Sequence, residues 1–166
     1  MTFEQVKLQG CWLGAEISAF VEGQLIPIRL AVHDGSGSPW VVSLWFLHEG
    51  DRFWCATNGD AKLASYLQTN PQCGFEVAGD KPPYRGIRGK GQAMLVPERG
   101  GEILKLLLKR YDISTSSRLA KSLLAKIDQE VAICVSPSRI SSWDFTERMA
   151  GAVTNREIAP TGEDRS

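Results

Sequence analysis

The sequence predicts a mainly β protein with helical insertions (α+β), built around an antiparallel barrel or sandwich. Apolar residues alternate with a period of two in several short segments, and most of these segments follow one another directly across turns. A doubly wound sheet would instead place a helix after each strand. The direct succession of strands therefore favours antiparallel pairing.

The first part of the chain is expected to form one helix and then two strands. Residues 11–22 carry an apolar stripe at helical spacing, and Gly23 follows as a stop. Alternation predicts strands over 25–33 and 40–47, separated by a turn at 34–37. Because both faces of 40–47 are apolar, we expect this strand to be covered on both sides.

The middle of the chain continues with a turn at 48–51 and a strand over 52–57. A short helix then carries Leu63, Tyr66 and Leu67 on one face and ends before Pro71. The next predicted strand covers 73–77.

Three glycines, Gly86, Gly89 and Gly91, interrupt a long strand predicted over 84–96. Glycine weakens an ordinary strand, so this density predicts sharp coiling or a close approach of backbones. The remaining predicted elements are two helices and two strands, at 100–111, 116–127, 131–135 and 139–145. The chain is expected to form one domain over 1–153, followed by a loose polar tail at 154–166.

Composition excludes several classes of function. Of the 166 residues, 43% are hydrophobic and 23% charged, which is ordinary for a globular domain. The 19 basic and 19 acidic residues cancel, so no overall field attracts nucleic acid or an anionic membrane. No apolar run approaches the roughly 20 residues of a membrane span, and the first residues lack a signal-peptide pattern. We therefore expect a cytoplasmic protein without nucleic-acid or membrane partners.

Motifs for metal binding and for catalysis are missing from the sequence. The four cysteines show no CxxC spacing, and His33 and His48 are the only histidines, so we expect no metal site and buried free thiols. There is no GxSxG elbow, Walker A loop, HExxH motif or pair of catalytic carboxylates. The sequence therefore identifies no catalytic residue.

The junction at 56–62 (ATNGDAK) is the most informative local feature. A helix that starts after a strand offers unpaired N–H groups and a positive dipole end, which suit a phosphate. Thr57 and Asn58 add neutral donors, and Lys62 adds a charge. Alternatively, Asp60 caps the helix and Lys62 is simply solvated.

Two further segments allow two interpretations each. The apolar strand at 42–46 suits either the wall of a site for a flat ligand or the protein core. On the glycine-rich strand, Arg85, Arg88 and Lys90 either attract an anion or lie exposed without a ligand.

In this order, the segments resemble the pyridoxamine 5′-phosphate oxidase-like superfamily of FMN-binding split β-barrels. The resemblance covers about residues 12–147 and depends on an ordered set of segments, since no single motif is specific. The segments are 39–46 (PWVVSLWF), 53–58 (FWCATN), 62–71 (KLASYLQTNP), 83–93 (PYRGIRGKGQA) and 138–145 (SRISSWDF).

The resemblance implies a six-stranded antiparallel split barrel that forms a homodimer, with FMN in clefts between the subunits. It assigns the flavin ring to one strand, the phosphate to the strand-to-helix junction, and further contacts to residues elsewhere in the dimer. The residues implied are Val42, Ser43, Leu44 and Trp45 for the ring, Thr57, Asn58 and Lys62 for the phosphate, and Arg85, Arg88 and Trp143 for the further contacts.

The chain departs from the family pattern at two places. The family lysine stands four residues before the leucine that precedes Asn-Pro, and here that position is Leu63, so Lys62 is either displaced by one residue or the second member of a basic pair. The closing Arg-x-His and Arg-Leu-x-Pro elements of true pyridoxamine phosphate oxidases are also missing after Trp143. We therefore do not expect oxidation of vitamin B6.

The expected function is that of an FMN-dependent oxidoreductase acting on an unidentified small organic substrate. One alternative keeps the fold and replaces FMN by the deazaflavin F420. The other is a flavin- or haem-binding protein without turnover, for which His33 and His48 are the candidate haem ligands.

Overall fold

A computed structural model describes residues 3–151, and the predicted tail at 154–166 lies outside them. The described residues form eight strands and four α-helices. The strands are β1 (Lys7–Gly10), β2 (Ile28–His33), β3 (Pro39–Leu44), β4 (Leu47–Glu49), β5 (Arg52–Asn58), β6 (Gln72–Ala78), β7 (Arg85–Val96) and β8 (Glu130–Asp144). The helices are α1 (Gly14–Gly23), α2 (Lys62–Thr69), α3 (Gly100–Arg110) and α4 (Arg118–Leu124).

The strands form one curled sheet in the order β3-β2-β6-β7-β8-β5-β4, and β1 adds to β8 in parallel. All other neighbouring strands are antiparallel. The two ends of this order, β3 and β4, are joined by only Trp45 and Phe46, so the sheet bends round on itself. The predicted antiparallel, barrel-like fold with helices is confirmed.

The strand count is eight and not the six that we expected. The four residues of β1 (KLQG) show no apolar alternation, so nothing local marks them as a strand. Of the short β4, Leu47 falls in the predicted strand 40–47 and His48 and Glu49 fall in the predicted turn 48–51, because the apolar pattern continues unbroken through the bend. The two strands predicted at 131–135 and 139–145 are instead one strand, β8, which contains an irregularity opposite Lys90 and Gly91.

The glycine-rich strand shows the close backbone approach that we predicted. A Cβ atom on Gly89 would lie 2.4 Å from the backbone oxygen of Arg139 and 2.4 Å from the ring of Phe75. At Gly91 a Cβ would lie 2.1 Å from the oxygen of Ser136. The sheet therefore curls most tightly where side chains are absent.

Apolar clusters lie on both faces of the sheet. Inside the barrel, Phe53 packs against Phe46 and Phe75, with ring centres 5.8 and 5.3 Å apart. Outside it, Ile103 and Leu107 of α3 pack against Trp54, Ala132 and Cys134. The outer helices thus cover the β5–β8 side of the sheet.

Two smaller expectations need correction. The strand predicted to be covered on both sides is an edge strand in the single chain, since β3 pairs only with β2 and Val41 is 63% exposed. Three cysteines, Cys55, Cys73 and Cys134, are buried free thiols as expected, but Cys11 is exposed. None of the helices in residues 3–151 is long and apolar enough to cross a membrane.

Candidate functional site

The candidate site is the region between the open edges of β3 and β5, which we call the slot. On the side of β5 that faces β4, pairing covers only Arg52–Trp54, which leaves the edge from 55 to 58 without a strand partner among the described residues. The edge of β3 that faces away from β2 is also unpaired. Both open edges lead away from the same bend at Trp45 and Phe46. They offer free backbone donors and acceptors to a flat heterocyclic ligand.

The predicted ring-binding residues of β3 do not share one face. Val42 pairs with Leu30 and Leu44 pairs with Ile28, and both pack against the barrel core. Ser43 points to the opposite, outer face and is exposed. A ring that lies along this edge would therefore meet the backbone of all three residues and the side chains of only some.

Trp45 turns away from β3 towards the end of α3. Its ring stacks on Tyr111 at 5.1 Å with an angle of 23° between the planes. The N–H of Phe46 donates to the hydroxyl oxygen of Tyr111 at 3.3 Å. Burial raises the pKa of Tyr111, so the hydroxyl stays neutral and keeps the bend in place. Trp45 thus helps to fix the bend from which the open edges of β3 and β5 lead away.

The start of α2 has no side-chain cap. The N-cap residue is Ala61, and its side chain accepts no hydrogen bond. The capping alternative for Asp60 is therefore wrong, because Asp60 precedes the N-cap residue. The backbone N–H of Asp60 donates to Oδ1 of Asn58 at 2.9 Å. The first N–H groups of α2 thus keep their capacity for an anion.

Lys62 and Thr57 lie beside this uncapped helix start. The Nζ atom of Lys62 lies 5.7 Å from the ring centre of Trp40, which also meets the ring of Tyr66 edge-on at 5.6 Å. The lysine is exposed, and neither it nor the Thr57 hydroxyl forms a hydrogen bond or an ion pair within residues 3–151. Through these contacts, Trp40 of β3 packs against Lys62 and Tyr66 of α2.

Asn58 is less available than its predicted role requires. Its Oδ1 serves the turn before α2, and its Nδ2 donates to Oε1 of Gln129 at 3.2 Å. Glu130 lies directly opposite Asn58 on β8, and burial raises the pKa of its carboxyl group. Asn58 therefore shapes the turn, with one amide hydrogen left to donate.

The remaining predicted residues lie on a different part of the sheet. Arg88 and Trp143 share the outer face of β7 and β8, with the guanidinium carbon 5.1 Å from the indole centre. Arg85 is exposed at the end of the barrel, opposite Asp144. Hydrogen bonds from Thr146, with a smaller contribution from Arg85, hold the pKa of Asp144 below its usual value. The structure thus separates the ten predicted residues into a slot group and a β7–β8 group.

Several neighbours of the slot escaped the sequence reasoning. Trp40 lies on β3 beside the predicted ring residues, whereas Tyr111, Gln129 and Glu130 come to the site from distant parts of the chain. Only the contact of Trp40 with α2, the packing of α3 and the pairing of β5 with β8 bring them there. No local motif in the sequence carries that information.

Nucleophilic and metal chemistry find little support in the described residues. They contain no group of three His, Cys, Asp or Glu side chains that could hold a metal ion. Burial raises the pKa of Cys73 to about 11 and raises that of Cys55 still further, so both thiols stay protonated.

The slot, the curled sheet and the outer helices define a split β-barrel. The family model described as Pyridoxamine 5′-phosphate oxidase matches residues 13–144. The chain belongs to this family. No match was found among curated protein sequences.

Solved structures show the same fold at low sequence identity. The conserved hypothetical protein Rv2991 from Mycobacterium tuberculosis is 21% identical, with a TM-score of 0.69 over 100% of this chain and 98% of that one. A protein described as an F420 reductase is 24% identical, with a TM-score of 0.62 over 71% and 90% of the two chains. HutZ, the heme storage protein from Vibrio cholerae, is 17% identical, with a TM-score of 0.58 over 76% and 91%.

Proposed function

We propose that this chain is an FMN-dependent oxidoreductase that acts on a small organic substrate. The flavin phosphate would lie at the start of α2, and the ring would lie along the open edge of β3. The observation that carries the proposal is the uncapped start of α2, with Lys62 and Thr57 free beside it, at the mouth of the slot. Because the chain has no net charge, a local site of this kind must supply the attraction for a phosphate.

Different side chains around the slot would bind the phosphate and the ring of the flavin. Lys62 and the amides of α2 would hold the phosphate, while Val42 and Leu44 would shield one side of the ring from water. Bound flavin would supply the hydride chemistry. No residue of the chain is proposed as an acid or a base.

We also propose that the functional unit is a homodimer. Arg85, Arg88 and Trp143 lie on β7 and β8, away from the slot group, and would complete the slot of the second subunit. If so, FMN should raise the melting temperature of the dimer and favour dimerisation. A monomer that binds FMN tightly in analytical ultracentrifugation would contradict the shared site.

The decisive experiment compares Lys62→Ala with Lys105→Ala. Both lysines are exposed, but Lys105 lies on α3, away from the slot. We expect Lys62→Ala to weaken FMN binding about tenfold, the size of a charge-assisted contact, and Lys105→Ala to leave it unchanged. Fluorescence titration of apo-protein measures both. Equal affinities in the two variants would remove Lys62 from the phosphate site.

F420 is the second candidate cofactor, since one neighbour by fold is described as an F420 reductase. Titration of the same apo-protein with FMN and with F420 separates the two. The absorption spectrum of freshly purified protein, with mass identification of the released ligand, tests both against a haem protein. His48 is a poor haem ligand as placed, because its side chain is only 2% exposed and its ring stacks on Phe3 at 5.1 Å.

A further inference from the structure

Three basic residues from distant parts of the chain form one row across the outer face of the sheet. Lys90 of β7 lies directly opposite Arg139 of β8, and Arg139 lies directly opposite Lys7 of β1. All three are exposed, and their neighbours Leu8 and Ile140 point into the core. We call these three residues the basic row.

Like charges directly opposite each other on neighbouring strands destabilise a sheet. Neighbouring strands lie about 4.8 Å apart, so the three backbone positions span about 10 Å. No side chain of the basic row forms an ion pair within residues 3–151. Within the described residues, no ion pair with an acidic side chain therefore offsets this repulsion.

The next row along the same face is built differently. There Glu76 lies between Arg29 and Arg88, and it forms an ion pair with Arg29 at 3.5 Å. Continued onto β6, β2 and β3, the basic row instead contains Gly74, Ala31 and Val41 and no acidic residue. The lack of a compensating acid is thus local to the basic row.

A cleft of about 580 Å³ adjoins the basic row at Lys90. Its floor includes the small residues Ala31 and Gly74, where a Cβ on Gly74 would meet only ordinary contacts at 3.7 and 3.8 Å. Four amide and hydroxyl side chains from three strands share the lining with His33 and with the apolar Val32 and Pro39. They are Gln72, Gln92, Ser136 and Ser138. We call this the outer cleft. It combines a floor of small residues, polar groups and one positive side chain, Lys90, from which the basic row continues to Arg139 and Lys7.

We propose that the outer cleft and the basic row bind a small molecule with two or more anionic groups, as in a phosphate chain or an oligocarboxylate. The body of the ligand lies over Ala31 and Gly74, and its anionic groups lie over Lys90, Arg139 and Lys7. Each anionic group can accept charge-assisted hydrogen bonds from two neighbouring strands. None of these residues is among those proposed for the slot of either subunit, although Lys90 lies two residues from Arg88 on the same face. The proposed site therefore goes beyond the proposed cofactor function.

Calorimetric titration with inorganic tripolyphosphate and with tetraglutamate at low salt tests the proposal. We expect at least one of the two to bind the wild-type protein, and Arg139→Gln to weaken that binding about tenfold or more. Arg118→Gln, at the exposed start of α4, is the matched control and should bind as the wild type does. Which probe binds identifies the anionic group. Binding of neither, or the same loss in both variants, would overturn the proposal.

Two further measurements make the test independent of the slot. Without any ligand at low salt, Arg139→Gln should melt at a higher temperature than the wild type, because one opposed charge is gone. Saturation with FMN should leave the polyanion affinity unchanged. Displacement of the polyanion by FMN would place it in the slot and refute a separate site, whatever becomes of the proposed cofactor function.

Discussion

The two sides of the barrel are built on opposite principles. On the closed side, β6, β7 and β8 pair along almost their whole length, and three glycines let the backbones approach closely. On the split side, β3 and β5 diverge from the bend at Trp45 and Phe46, and each leaves one edge unpaired.

We infer that the closed side mainly contributes stability and that the split side is the part open to a ligand. On the closed side, the backbone N–H and C=O groups are paired between strands. On the split side, backbone donors and acceptors and the first N–H groups of α2 stay available to a ligand. Residues at the end of α3 contact the bend between β3 and β4, where the closed and split sides meet. Tyr111 holds the bend, and Arg110 lies over the Phe46 ring at 5.3 Å and binds the end of α1.

The largest effect should come from a side chain placed on the closed side. Gly89→Ala would place a methyl group 2.4 Å from a backbone oxygen, so β7 and β8 must shift, and we expect a loss of about 3 kcal/mol in the free energy of unfolding. Gly74→Ala, one strand away, has room for its methyl group and should change stability by less than about 0.5 kcal/mol. Urea denaturation compares the two, and equal losses would show that the closed side is not tightly packed.

A smaller effect is expected at the boundary between the two sides. The guanidinium of Arg110 donates to the backbone oxygens of Val21 at 2.7 Å and Gln24 at 2.8 Å. Arg110→Met keeps much of the apolar packing and removes these bonds, which should cost about 2 kcal/mol. Urea denaturation measures the loss. Unchanged stability would mean that α1 is held by its apolar contacts alone.

The free energy of unfolding should fall at acid pH because of His48, which lies on β4. Burial lowers the pKa of its imidazole from the ordinary 6.5, against the opposing effect of Glu22, so the unfolded chain binds a proton at a higher pH than the folded one. The stabilisation is complete above pH 6.5 and is lost as the pH falls from there towards the lowered pKa. His48→Leu should reduce this pH dependence of the urea midpoint, and His33→Leu, at an exposed position, should not. The same pH slope in all three proteins would rule out His48 as its source.

The smallest effect is expected on the exposed part of the split side. Val41 is 63% exposed in the single chain, so Val41→Thr should alter stability by less than about 0.5 kcal/mol. A larger loss that depends on protein concentration would show that a second copy covers β3. Melting curves at several concentrations distinguish the two results.

Much of the fold could be predicted because its elements carry their own local pattern. Strands β2 and β6 alternate, α2 and α3 show helical stripes, and the glycines of β7 mark the close approach. The missed elements lack such a pattern. β1 pairs in parallel with a strand more than 130 residues away, and the uncapped helix start at Ala61 depends on how the preceding turn folds.

The candidate site was only partly accessible from the sequence. The junction before α2 and the family resemblance identified Thr57 and Lys62, and their contact with a phosphate stays a prediction. The resemblance assigned four consecutive residues to the flavin ring, but alternation sends Ser43 outward, and Trp45 stacks on Tyr111.

The sequence by itself determined the class of the sheet, the position of most strands and the location of a helix start suited to a phosphate. Only the tertiary structure decided that the two open edges form a slot, and that Lys7, Lys90 and Arg139 meet in one row. The physical reason is that strand order and register depend on long-range packing of buried side chains. A local pattern can show which residues alternate, but it contains no information on which distant residue will lie opposite.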